Sequence, residues 1–202
     1  MKALKQIISL SLFVFLAACG SLLTTNTGAE NTYVLSAIDP SNSSQSKGGL
    51  SVAKPLLASG LDSQKIALVH NGIKLDYYQG ARWSDNLSVM VQDRLVESIN
   101  NAKIYKFVIN DKVNLNPSYY LVTDVRRFQA EYAGTDDNGK DSAPTAHVVV
   151  DVKLVNASNK TIARQFTASA KVKANENRMG AVAGAMNQAF KEVQSQIITK
   201  LR

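Results

Sequence analysis

From Ala146 to Val172 the chain alternates apolar and polar residues almost without a break. Ala146, Val148, Val150, Val152 and Leu154 alternate with His147, Asp151 and Lys153, and Ile162, Phe166, Ala168, Ala170 and Val172 alternate with Thr161, Gln165, Thr167, Ser169, Lys171 and Lys173. Successive strand residues point to opposite faces, so this period of two describes two strands with one buried and one wetter face. Asn156 to Lys160 reads as the hairpin loop that joins them. A sheet with one apolar face must bury it against a second layer, and the sequence supplies one. Trp83, Leu87, Val91, Leu95 and Ile99 recur every four residues, joined by Met90, and predict a helix of about sixteen residues. Ser84 or Asp85 is its candidate cap. Val182, Met186, Ala189, Phe190, Val193, Ile197 and Leu201 place one apolar stripe on a C-terminal helix.

The remaining segments extend the sheet. Tyr119 to Tyr132 is a long strand candidate, and Tyr33-Val34-Leu35 a short one. Leu50 to Lys54 reads as a strand stopped by Pro55, and Ile104 to Ile109 as another. Lys65 to His70 and Ile73 to Tyr78 flank Asn71-Gly72, the dipeptide favoured in a two-residue type I′ hairpin. Ser41 to Gly49 and Gly134 to Thr145 read as polar loops. The expectation is an α+β fold: a mostly antiparallel sheet with two amphipathic helices packed on one face. The two halves share this plan, but their sequences do not match well enough to establish a duplication.

The N-terminus determines where such a domain works. Lys2 and Lys5 form a basic region, Ile7 to Phe15 an apolar one, and Leu16-Ala17-Ala18 leads to Cys19, the chain's single cysteine. The segment is too short and wrongly flanked for a transmembrane helix and reads as a secretory signal. Leu16 to Cys19 resembles the lipobox of bacterial lipoproteins. That resemblance implies cleavage before Cys19, a diacylglyceryl group on its thiol and acylation of the new amino terminus. One acyl chain binds membranes only marginally, whereas several anchor stably. Residues 1–18 are thus expected to be a signal peptide, 19–31 a lipidated tether and 32–202 the folded domain. Gly20, where enterobacterial lipoproteins kept at the inner membrane tend to carry aspartate, favours the outer membrane and its periplasmic face. The net charge of +7 falls to +5 once Lys2 and Lys5 leave with the signal. Such a balance suits anionic headgroups or an acidic partner. The Lys and Arg residues are scattered along the sequence, with no basic stripe that would point to nucleic acid. With one cysteine, no intramolecular disulfide forms.

A second resemblance reaches function. The run Leu75-Asp76-Tyr77-Tyr78-Gln79-Gly80-Ala81-Arg82-Trp83-Ser84 resembles the ABC-type transport auxiliary lipoproteins, the family containing paraquat-inducible protein C. Its members tend to carry an aromatic pair and then Arg-Trp at a helix entrance; Ser84 stands where alanine is common. Tyr33-Val34-Leu35, Val52 to Pro55 and Gly60-Leu61-Asp62-Ser63 followed by Ile66 are similar to family features in the expected order. The resemblance covers most of Tyr33 to Ile99 and is weaker beyond. It implies an auxiliary component of an Mce-type lipid transport system. Its partners would be a periplasmic Mce protein, the subunits of an inner-membrane ABC transporter and, through the lipid anchor, a membrane; phospholipid is a further candidate. The alternatives are a lipoprotein with a structural or envelope-assembly role and a periplasmic hydrolase.

Tyr77, Tyr78, Arg82 and Trp83 are the candidate partner interface, since Trp and Tyr combine large contact area with a polar handle. The preferred reading of Trp83 is the first core residue of its helix, and that of Arg82 a local structural role, with Asp76 or a partner carboxylate as its ion-pair partner. Gly180 and Gly184 form a small-xxx-small pair, read as close packing of the last helix against the sheet. No enzyme signature appears. His70 and His147, the only histidines, lie on predicted strands outside any recognisable motif. Asp136-Asp137-Asn138-Gly139 lacks the spaced ligands and terminal Glu of a calcium loop. The sequence shows no zinc spacing, Gly-x-Ser-x-Gly elbow or phosphate loop. We therefore expect no catalytic residue, metal or cofactor.

Overall fold

The computed structural model describes residues 30–40, 47–134 and 142–202. Cys19, most of the tether, residues 41–46 of the first polar loop and Asp136-Asp137-Asn138-Gly139 of the second lie outside them. The alternating segments form the longest strands. Strand β7 (Tyr119–Tyr132), β8 (Thr145–Asn156) and β9 (Ile162–Lys173) make an antiparallel meander, with Tyr119 opposite Asn156 and Glu131 opposite Thr145. The other edge of β7 pairs in parallel with three short strands laid end to end. β2 (Leu50–Val52) meets Tyr119 to Leu121, β3 (Leu56–Leu57) meets Asp124 and Val125, and β4 (Lys65–His70) meets Ala130 to Tyr132. Pro55, which has no N–H to donate, separates the first two. Strand β5 (Lys74–Trp83) runs antiparallel to β4, β1 (Asn31–Tyr33) runs parallel to β5, and β6 (Val108–Asn110) parallel to β2. The class is α+β as expected; the sheet is mixed, antiparallel along its long pairs and parallel along its short ones.

Helices α1 (Leu87–Asn101) and α2 (Met179–Leu201) cover one face, α1 over β2 and β6, α2 over β7, β8 and β9. Every residue of the predicted α2 stripe is buried. Phe128 of β7 ties the layers together. Its ring meets Trp83 edge-on at 5.9 Å and Phe190 of α2 at 5.6 Å. The opposite face of the sheet carries the polar residues of the alternation. Gln196 of α2 reaches round the free edge of β9. It accepts from the Ser169 N–H and donates to the Ser169 carbonyl, satisfying backbone groups that would otherwise be open to another chain.

Several expectations need correction. Trp83 ends β5 instead of opening a helix: its N–H donates to the Gln64 carbonyl, and it stands opposite Tyr33. The four-residue spacing carried across the junction because the last strand residue and the helix stripe enter the same core. The N-cap is Asn86, not Ser84 or Asp85, and its side chain makes no capping bond. The Asn71-Gly72 turn has both residues at positive φ (49° and 73°), as type I′ requires, but Ile73 belongs to the turn and β5 runs ten residues, past Gly80, to Trp83. Ile104 lies outside the strand it was expected to open. Gly180 and Gly184 face open space, since no atom lies within 4 Å of where a Cβ would stand, so they serve no close packing. After β1 the chain crosses the seam between the helices as a strap. The Ser36 N–H donates to Asn187 Oδ1 (2.9 Å) and the Ile38 N–H to Ser98 Oγ (3.0 Å), while Gln194 Nε2 and Asn101 Nδ2 donate to their carbonyls.

Candidate functional site

The four residues of the aromatic-Arg-Trp run do not form one surface. Adjacent strand residues point to opposite faces, and Tyr77 and Tyr78 accordingly diverge. Tyr77 lies on the face away from the helices, its hydroxyl donating to the Gly60 carbonyl (2.9 Å) and its ring beneath the Lys65 ammonium at 5.2 Å. Tyr78 turns the other way, its hydroxyl 2.8 Å from that of Tyr132, which donates onward to Asn177 Oδ1. His70 stacks on the Tyr132 ring at 4.9 Å. Trp83 is 1 % exposed. Arg82 Nη1 donates to Gln64 Oε1 at 2.8 Å, while Asp76 faces Lys74 at 3.9 Å, so the Arg82–Asp76 pair does not form.

What the structure does bring together are the two sequence segments that carried the resemblance. Gly60 to Gln64 lies against the junction of β5 and α1. The Leu87 N–H, first of the helix and without an intrahelical acceptor, donates to the Ser63 carbonyl, and Ser88 Oγ donates to Asp62 Oδ1 at 2.6 Å. Leu61 is buried in the same core as Trp83. These motif residues build a corner that fixes where the helix starts.

The face away from the helices presents two further features. At the β4–β5 hairpin, Ile73 (91 % exposed) and Leu75 (43 %) stand in solvent, and Leu56 (65 %) does so on β3, opposite Asp124. A hollow of about 220 Å³ opens there between Ala58, Leu61, Val69 and Arg126. Beside it lies a polar cluster. Glu131 Oε1 accepts from His147 Nδ1 (2.8 Å) and from Gln129 Nε2 (3.0 Å), and Lys171 Nζ is 3.9 Å from Oε2. Burial pushes the Glu131 carboxyl up; the hydrogen bonds from His147 and Gln129, with the charges of a protonated His147 and of Lys171, outweigh it and hold the carboxyl below its ordinary range. Sequence reasoning missed this cluster because its members come from three strands. Only the register, which puts His147 opposite both Gln129 and Lys171, assembles it. Among the described residues no group of three or more His, Cys, Asp or Glu could hold a metal ion, and no helix is long and apolar enough to cross a membrane.

Comparison with known proteins bears on the whole domain. The solved structure of protein XCC0632 from Xanthomonas campestris is similar at 26 % identity, with a TM-score of 0.73 over 83 % of this chain and 92 % of that one. A second solved structure, of an uncharacterised protein, shares the fold at 11 % identity, with a TM-score of 0.66 over 86 % of this chain and 99 % of that one. No curated protein matches the chain. A family model described as the ABC-type transport auxiliary lipoprotein component matches residues 33–198, from β1 through nearly all of α2. The match takes in both the corner at Trp83 and the meander that follows it, and the chain belongs to that family.

Proposed function

We propose that this protein is a non-catalytic, lipid-anchored auxiliary of an Mce-type lipid transport system, acting from the periplasmic face of the outer membrane. The observation that carries the reading is the family match over residues 33–198 together with Leu16-Ala17-Ala18-Cys19 after a signal-like segment. A lipid in transit between membranes needs a shielded route, because each methylene exposed to water costs about 0.8 kcal/mol. A domain tethered at Cys19 could hold a periplasmic Mce protein, and through it the inner-membrane ABC transporter, at its target membrane. The exposed Ile73 and Leu75 of the β4–β5 hairpin supply apolar surface of the kind partners bury.

Genetics tests the reading. Deleting the gene should mimic loss of the partner ABC or Mce component, seen as sensitivity to detergents, and the double deletion should be no worse than either single one. Cys19→Ala should abolish fatty-acid labelling and fail to complement, whereas His70→Ala and His147→Ala should complement if they fold. A folded histidine variant that loses function while the unlipidated protein keeps it would favour the hydrolase alternative and sink this one.

A further inference from the structure

The two ends of the sheet differ in how their cations are paired: at the hairpin end Lys74, Lys171 and Arg178 face Asp76, Glu131 and Glu176. At the Tyr119 end four exposed lysines converge from separate elements. Lys103 follows α1, Lys106 precedes β6, Lys160 closes the β8–β9 turn and Lys200 lies in the last turn of α2. None of the four joins an ion pair among the described residues. Of the acidic side chains on the adjoining elements, Asp111 accepts from Gln92 and the Lys54 N–H, Glu97 pairs with Arg94, and Asp151 pairs with Arg126. Lys47 and Arg164, at the same end, are turned inward. They donate to the final carbonyls of α2 and complete its C-terminus.

Two of the exposed lysines stand where the local backbone favours another residue. Lys103 and Lys160 have φ of 52° and 59°, in the left-handed region that suits glycine or asparagine. At the hairpin end the equivalent position is filled by Asn71, φ 49°. Local conformation therefore does not select lysine at these two turns. An exposed apolar side chain lies near this end as well: Leu115, 53 % exposed, precedes Asn116 and Pro117, which line one hollow with Lys160. Lys160 also lies over the Tyr120 ring at 4.9 Å. Lysines on flexible stems around exposed aliphatic and aromatic groups are the composition of a surface that meets headgroups. They are point charges without the fork that recognises a single carboxylate or phosphate. A diffuse anionic plane matches them better than a discrete ligand does.

Reach permits such a plane with the tether nearly fully extended and doubled back along the sheet, since β1 runs parallel to β5 and is entered from the hairpin side. Through β5 and β4, Asn31 stands about level with Phe128, roughly 30 Å along β7 from Tyr119 at about 3.3 Å per residue. The twelve residues from Cys19 to Asn31 extend to roughly 40 Å. We propose that the Tyr119 end, through Lys103, Lys106, Lys160 and Lys200 with Leu115, docks on the anionic phospholipid bilayer that holds the chain's own anchor. The inference rests on the Cys19 anchor of the proposed function.

The test uses the lipidated full-length protein reconstituted in phosphatidylcholine vesicles with or without phosphatidylglycerol. Acylation removes the Cys19 thiol, so Leu115→Cys offers one site for an environment-sensitive dye, and Ile73→Cys places the dye at the opposite end. With phosphatidylglycerol the Leu115 dye should shift to the blue and be quenched by brominated lipid, and raised salt should reverse both; the Ile73 dye should not respond. Combining Lys103→Asn, Lys106→Gln and Lys160→Asn, with asparagine chosen to suit the positive φ, should weaken docking about a hundred-fold, since each lysine near an anionic surface contributes about a five-fold change. An unchanged melting temperature shows that this variant folds. A Leu115 dye that stays in water while the protein floats with the vesicles overturns the proposal, as does an equal response without phosphatidylglycerol. If the triple variant loses crosslinks to an envelope protein while its dye signal is unchanged, the end belongs to an acidic protein partner. Protein that floats with no vesicle refutes the anchor, and the docking surface falls with it.

Discussion

At the scale of single residues, Trp83 and Glu131 show what position does to chemistry. Trp83 has the composition of an interface anchor, yet its ring is enclosed with Phe128 and Phe190. Truncating a buried aromatic leaves a cavity as well as losing transfer energy, so Trp83→Ala should destabilise the domain by about 3–5 kcal/mol in urea unfolding. A loss below about 1 kcal/mol, the range of many exposed sites, would mean that the ring is not core. Glu131 makes a pH prediction. Its folded pKa lies below the ordinary value of 4.5, so its contribution to stability is fully present above that value and is lost as pH falls through the lower, folded one. Between pH 6 and pH 3 the native protein should therefore lose stability faster than Glu131→Gln. Parallel unfolding curves for the two proteins would show that the carboxylate contributes nothing.

At the scale of elements, the seam between the helices is polar where a hydrophobic zip would be expected. Ser98 donates to Gln194, both fully buried, and the pair holds the strap backbone from either side. No periodicity announces this, because the partners lie far apart in sequence and the strap has neither helix nor strand repeat. Helix α2 offers a sharper test. Gly184 sits in its interior with open space around it. A mid-helix glycine costs roughly 0.5–1 kcal/mol relative to alanine through backbone entropy. Gly184→Ala should therefore raise stability by about that amount in thermal or urea melts. A decrease would show that the added methyl clashes there and that the space around Gly184 is not open.

At the scale of the molecule, β1 to α2 share one core, from Leu35 to Leu201. A chain starting at Asn31 should be soluble, give a mixed α/β circular dichroism spectrum and unfold in one cooperative transition. Gradual melting or persistent aggregation would show that the anchor or a partner completes the fold. The strands of the meander and the apolar stripes were legible from sequence because the periods of two and 3.6 are local: each reports which side of its own element is dry. The Asn71-Gly72 turn was legible for the same reason, since positive φ is a property of the residue. Local periodicity could not distinguish the end of β5 from the start of α1 at Trp83, because both bury residues in one core. Nor could it find the Glu131–His147–Lys171 cluster, which exists only through strand register. The lysines give the clearest division. Along the sequence they are scattered; the ends of α1, β6, the β8–β9 turn and α2 gather them at one pole. By itself the sequence determined the long strands, the stripe of the last helix and the turn, and it carries the anchor motif expected at Cys19. Tertiary structure decided which charges and rings became neighbours, because that depends on pairing between residues remote in the chain.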